Sequence, residues 1–210
     1  GEIGGGKTWA LLMDALLWAA KVPGIPMVMF RQTYQQGKDT LLEKLEQAYP
    51  KEIGHYNKSD ETFHFINGSM LKLRQCKTYD DAIKNEGKEF CKMYIDEAQH
   101  LPYDAFDYLC TRPRANKDLK AQPQMKFTAM EGGKGHAWIK RLFVEKLEDD
   151  VPKPYVVVDE KTGDQYTIYR QFIPARLTDN KHLDSKYAGR LNMRSDKHKN
   201  RVRSHNWNSL

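Results

Sequence analysis

Apolar positions along the chain fall into short blocks whose period changes from one segment to the next. Residues 9–20 (WALLMDALLWAA) are apolar on nearly every face, which predicts a helix packed between layers. Lys21 and then Pro23-Gly24 end it. Residues 27–30 make a short apolar run closed by Arg31, the signature of a buried parallel strand. A second helix is predicted over about 39–49, with Thr40 and Glu43 as a capping box and Leu41, Leu42, Leu45 and Tyr49 as its apolar stripe. Between 61 and 74 the period drops to two. Phe63 and Phe65 precede Asn67-Gly68, and Met70, Leu71 and Leu73 follow, which predicts a hairpin.

Further on, the pattern predicts a short helix at 79–84 and an apolar strand at 91–95 that ends in Asp96-Glu97. A helix opened by Pro102 runs to Cys110, and a strand covers 124–129. Gly132 to Gly135 make a tight turn before an amphipathic helix over 136–147, with Trp138, Ile139, Leu142, Phe143 and Leu147 inward. Residues 155–158 and 166–172 flank a turn as a second hairpin, and 184–193 are a last short helix. Strands alternating with helices imply an α/β sandwich around a mostly parallel sheet, decorated by the two hairpins.

Composition changes this picture little. The 210 residues suit one ordinary domain, 40% apolar and 30% charged, a globular balance. No apolar run reaches the roughly 18 residues of a membrane span. Cys76, Cys91 and Cys110 have neither a paired framework nor zinc spacing, so reduced thiols are expected. A net charge of +6 permits a nucleic-acid partner without requiring one.

The chemistry is concentrated at the start. Gly1-Glu2-Ile3-Gly4-Gly5-Gly6-Lys7-Thr8 satisfies the phosphate-loop pattern G-x-x-x-x-G-K-[ST] in full. Gly1, Gly4, Gly5 and Gly6 let the backbone turn its N–H groups toward phosphate oxygens. Lys7 brings positive charge to the β/γ-phosphates of ATP, the Thr8 hydroxyl is placed for Mg²⁺, and the following helix adds its positive end. The matching acid is Asp96, at the carboxyl edge of a strand, where it would hold Mg²⁺ through water opposite Thr8. Glu97 is the expected general base for the attacking water. Together they specify a P-loop NTPase of RecA-like, three-layer architecture. Cations for the transition state are sought among Arg31, Lys84, Lys88, Arg112 and Arg114, the last two acting in a neighbouring subunit. His136 is either a nucleotide sensor or an ordinary helix-start histidine. The chain opens directly on its phosphate loop, so the strand that normally precedes such a loop is expected in a longer protein.

Taken together, these motifs resemble the ATPase domain of the large terminase subunit of tailed bacteriophages. The resemblance is carried by Tyr94-Ile95-Asp96-Glu97-Ala98-Gln99-His100-Leu101-Pro102, by Leu109 with Arg112-Pro113-Arg114, and by the stretch from Phe127 to Lys140. Phe172-Ile173-Pro174-Ala175 and the run from Thr178 to Leu183 resemble the end of that domain. It implies an ATP-driven motor that packs viral double-stranded DNA into a preformed shell. Such a motor works as a homo-oligomeric ring on the portal protein, aided by a small terminase subunit, in the cytoplasm of the infected host. By position, it implies that Lys7 and Thr8 bind phosphate and Mg²⁺, that Asp96 supports the metal and that Glu97 is the base. Thr128, Ala129 and Met130 then occupy the motif that couples hydrolysis to movement.

The chain departs from that pattern in three ways. Ile3 stands where many members carry an arginine, and Thr128-Ala129-Met130-Glu131 replaces the usual Thr-Gly-Asn-Pro. Intact members add a nuclease domain, so residues 1–180 are expected to be the ATPase domain and 181–210 a basic segment leading out of it, without nuclease activity. From 181 to 203 there are eight Lys/Arg against two Asp, a DNA grip or a solvated tail. Two alternatives stay open: a helicase-like or recombination ATPase, and a nucleotide-binding assembly module that does not hydrolyse ATP.

Overall fold

The computed structural model describes residues 5–32, 35–115, 117–176, 179–181 and 207, with backbone alone for 35–40. The expected helix at 184–193 and nearly all of the basic segment lie outside the described residues. Gly6–Gly135 forms one compact unit, and the described parts of Gly1–Gly5 and His136–Leu210 form a second.

The first unit is built on a six-stranded sheet. Helix α1 (Lys7–Lys21) leads to β1 (Pro26–Arg31), and α2 (Gln35–Ala48) to β2 (Gly54–Asn57), β3 (Thr62–Phe65) and β4 (Met70–Gln75). Helix α3 (Tyr79–Ile83), β5 (Lys92–Ile95), α4 (Tyr103–Cys110) and β6 (Gln124–Phe127) complete it. The strand order is β2-β3-β4-β1-β5-β6; β4, β1, β5 and β6 run parallel, while β2 and β3 are antiparallel. The expectation of a mostly parallel α/β sheet therefore holds.

Strand alternation sorts the core into two layers. Met27, Met29, Leu71, Leu73 and Tyr94 join Leu11, Leu12, Ala15, Leu41 and Leu45 in one apolar cluster beneath α1 and α2. The intervening Val28, Phe30, Met93 and Ile95 are equally buried but face the other way. On that side Phe106 of α4 packs edge-on against Phe127, with centroids 5.5 Å apart. Side-chain parity thus assigns Tyr94, and after it Asp96, to the α1 face.

Four local expectations are revised. The first hairpin is no decoration, because β4 pairs in parallel with β1, Met27 opposite Leu71, and so extends the main sheet. β2, which no apolar run announces, pairs with β3. Helix α2 starts at Gln35, so Thr40 lies inside it instead of capping it. Finally, β5 is not purely apolar: Lys92 is 2% exposed, with its ammonium 3.4 Å from the Trp18 ring centroid and 2.8 Å from the Gln122 carbonyl. Burial lowers the Lys92 pKa from its ordinary value.

The second unit holds α5 (His136–Ile139), a π-helical turn (Lys140–Val144) and an antiparallel pair, β7 (Lys153–Val158) and β8 (Gln165–Arg170). The expected continuous helix over 136–147 is interrupted there. Glu145 N–H bonds the Lys140 carbonyl, and the extra residue in that turn lets Trp138, Phe143 and Leu147 all be buried. Among the described residues, no helix is long and apolar enough to cross a membrane.

Candidate functional site

The site begins where α1 begins. Gly6 caps the helix at φ 71°, ψ 10°, a left-handed conformation that glycine adopts without steric cost. No side chain caps this end, and its first turn carries no acidic residue. The N–H groups of the first turn and the helix dipole therefore present positive potential at Lys7 and Thr8. Gly1 and Gly4 lie outside the described residues.

Opposite Thr8 stands Asp96, 1% exposed at the end of β5. The Thr8 hydroxyl lies 3.1 and 3.2 Å from its two carboxylate oxygens. From the end of β6, the Thr128 hydroxyl donates to Asp96 Oδ1 at 2.7 Å and accepts the Glu97 N–H at 3.0 Å. Arg31, at the end of β1, brings Nε to 3.8 Å from Asp96 Oδ2 and Nη2 to 3.4 Å from Glu97 Oε1. Four elements thus converge on two neighbouring carboxylates. Glu97 itself has φ 60° and ψ 48°, left-handed for a non-glycine residue. This conformation is costly and persists where surrounding bonds hold it, here the Thr128 hydroxyl and the Ala98 N–H to Thr128 carbonyl bond of 2.8 Å. It turns Glu97 out of the strand, leaving its side chain 39% exposed beside the buried Asp96.

The donors suit a hard cation. A hydroxyl and a carboxylate facing each other are what Mg²⁺ takes from a protein when phosphates and water complete its shell. Among the described residues there is no cluster of three or more His, Cys, Asp or Glu that could hold a metal by itself.

Behind Glu97 the chain is stitched to the segment after β6. Gln99, 3% exposed, accepts the Met130 N–H through Oε1 at 3.1 Å, and its carbonyl accepts the Gly135 N–H at 2.8 Å. Gly133 has φ +74°, and a Cβ there would lie 2.2 Å from the Gln99 carbonyl oxygen. Gly133→Ala is therefore expected to lower the midpoint of thermal unfolding by about 5–10 °C, from about 2–3 kcal/mol of strain and clash. Differential scanning fluorimetry reads this, and an unchanged midpoint would show that the stitch has slack.

Residues 3–207 match the family described as terminase large subunit, T4likevirus-type, N-terminal. The chain belongs to that family. Its fold is similar to that of the large terminase from a thermophilic bacteriophage, solved in complex with ADP. The TM-score is 0.72 at 16% identity, covering 99% of this chain and 47% of that one. Another crystal form of the same terminase gives 0.70 at the same identity and coverage. The chain thus spans about half the length of those structures. No curated protein matches it.

The remaining candidates of this terminase domain are scattered. Arg112 lies over the Tyr108 ring at 4.5 Å, and Arg114 N–H bonds the Phe90 carbonyl at the opposite end of β5 from Asp96. Lys84 pairs with Asp81 at 2.8 Å on α3. Lys88 has its pKa lowered, first by burial and then by Arg74 and Lys72. His136 opens α5 in the second unit and stacks on Trp207. Of the cations sought for the transition state, Arg31 is placed at both carboxylates. Gln99 receives no role from sequence reasoning; its signal is an amide two residues after the acidic pair.

Proposed function

We propose that this chain is the ATP-hydrolysing motor domain of a large terminase, driving viral double-stranded DNA into a procapsid. The convergence of Thr8, Asp96, Thr128, Glu97 and Arg31 at the N-terminus of α1 carries the reading. ADP in the similar terminase of the thermophilic phage agrees with a nucleotide-binding fold. Lys7 and the loop N–H groups bind the phosphates, while Thr8 and Asp96 would hold Mg²⁺, which would supply neutralisation of charge on the transferred group. Glu97 accepts the proton of the attacking water. Arg31 holds the Glu97 carboxylate over the site, and Thr128 fixes the backbone on which Glu97 turns. Because Thr128 and Met130 are bonded to the residues around Glu97, the segment after β6 is the expected route from hydrolysis to movement.

The partners of this function are the viral DNA, the portal protein and a small terminase subunit, with the motor assembled as a homo-oligomeric ring in the host cytoplasm. Lys7→Ala is expected to weaken ATP binding about 30-fold, the equivalent of about 2 kcal/mol for one charge-assisted contact. Fluorescent-nucleotide titration measures it, and unchanged affinity would remove the phosphate-loop assignment. Double-stranded DNA should stimulate hydrolysis in the intact protein without separating the strands; unwinding would instead indicate a helicase.

A further inference from the structure

The strands that lead to Asp96 and Thr128 carry a second polar rung. Tyr94 and Lys126 are register partners on β5 and β6, each two residues ahead of Asp96 and Thr128. Alternation places all four on the α1 face. Both side chains of the second rung reach one carboxylate. The Tyr94 hydroxyl donates to Asp14 Oδ2 at 2.9 Å, and the Lys126 ammonium pairs with Asp14 Oδ1 at 2.5 Å.

Asp14 is the one charged residue between Lys7 and Lys21 of α1. It lies six residues after Thr8, about 9 Å along the helix axis. Two strand residues advance about 6.6 Å. Helix and strands are therefore tied at two levels, Thr8 to Asp96, which Thr128 also bonds, and Asp14 to Tyr94 and Lys126. Tyr94 is 1% exposed, and burial, then the Asp14 charge, raises its pKa far above the ordinary phenol value. Its hydroxyl thus remains a donor to Asp14.

Most of what holds α1 to the sheet is apolar packing, which is non-directional. Tyr49 also donates to the Leu12 carbonyl at 2.6 Å, but from the α2 side, not from the strands that lead to the acid. The Asp14 contacts are directional and act on those two strands themselves. A Mg²⁺ held beside Thr8 and Asp96 would tolerate little change in the spacing of their oxygens, because this ion is strict about its geometry. A slide of a few tenths of an ångström in α1 therefore matters.

We propose that Asp14, held by Tyr94 and Lys126, is a positioning residue that sets the depth of α1 against β5 and β6, and thereby the spacing of Thr8 from Asp96. The proposal rests on reading Thr8 and Asp96 as the Mg²⁺–nucleotide site. It is tested on the full chain with Asp14→Asn and Tyr94→Phe, the latter keeping its ring in the core. ADP is titrated calorimetrically with and without Mg²⁺, and ATP turnover is measured alongside. In both variants the metal-free ADP affinity should stay within about threefold of wild type, while the tightening conferred by Mg²⁺ falls about tenfold. The kcat should fall by a similar factor with KM within about threefold, and the double variant should be no worse than Asp14→Asn, because both changes remove one unit. Variants that melt earlier but keep the full Mg²⁺ effect and kcat would overturn the proposal and leave the site reading intact. A wild-type chain that gains nothing from Mg²⁺ would overturn both.

Discussion

Glu97→Gln should abolish nearly all ATP turnover, by about 10³-fold, while nucleotide affinity stays within about threefold of wild type. Glutamine has the shape of glutamate and leaves the backbone contacts of the site in place. The Glu97 N–H still reaches Thr128 Oγ1, and the left-handed turn at φ 60° still aims the side chain outward. Only the proton acceptor is removed. The Arg31 contact at 3.4 Å changes from an ion pair to a neutral one, in a side chain that is 39% exposed, so its effect on stability is small. Single-turnover hydrolysis together with nucleotide titration separates the two effects. Retention of more than a tenth of the turnover would show that another group takes the proton.

Asp96→Ala has the other large effect, and it falls on stability as well as activity. Asp96 is 1% exposed and accepts from Thr8 and Thr128, with the Arg31 guanidinium 3.8 Å away. Removing the carboxylate leaves two hydroxyls without this acceptor and a largely buried cation without one of its counter-charges. Breaking a buried polar set in this way costs about 3 kcal/mol or more. For a chain of this size that corresponds to a fall of about 6–12 °C in the unfolding midpoint. Asp96→Asn separates the two contributions. It keeps an oxygen for Thr8 and Thr128, so much of the stability should return, but without the negative charge the Mg²⁺-dependent gain in nucleotide affinity should not. If Asp96→Ala melts with the wild type, the cluster is looser than its distances state.

These two carboxylates are legible in the sequence, and so are most of the elements that carry them. An apolar block ending in Asp96-Glu97, and a glycine-rich loop running into an apolar helix, are local signals with a fixed chemical meaning. The presence and type of α1, β1, α3, α4 and β6 follow from the same kind of signal, with ends that differ by up to two residues. Where local reading fails, a non-local contact decides the outcome. β4 joins the main sheet because Leu71 and Leu73 complete the layer under α1 and α2, a partnership that no turn residue announces. The π-helical turn at Lys140–Val144 exists because inward packing of Trp138, Phe143 and Leu147 outweighs regular helix geometry.

The sequence by itself determined the residue types on which the proposed chemistry draws: a phosphate-loop pattern, an Asp-Glu pair closing an apolar strand and a set of cations. Residue type and short spacing suffice for that, because backbone curvature and strand direction are local properties. Only the tertiary structure decided which side chains meet. It brought Arg31 to Asp96 and Glu97 while leaving Arg112 and Arg114 beyond the far end of β5. It also gave Thr128 its paired hydrogen bonds to Asp96 and Glu97, and set Asp14 between Tyr94 and Lys126. Those encounters depend on strand order and register across residues tens of positions apart. That register is fixed by the packing of whole layers, which no short window of sequence contains.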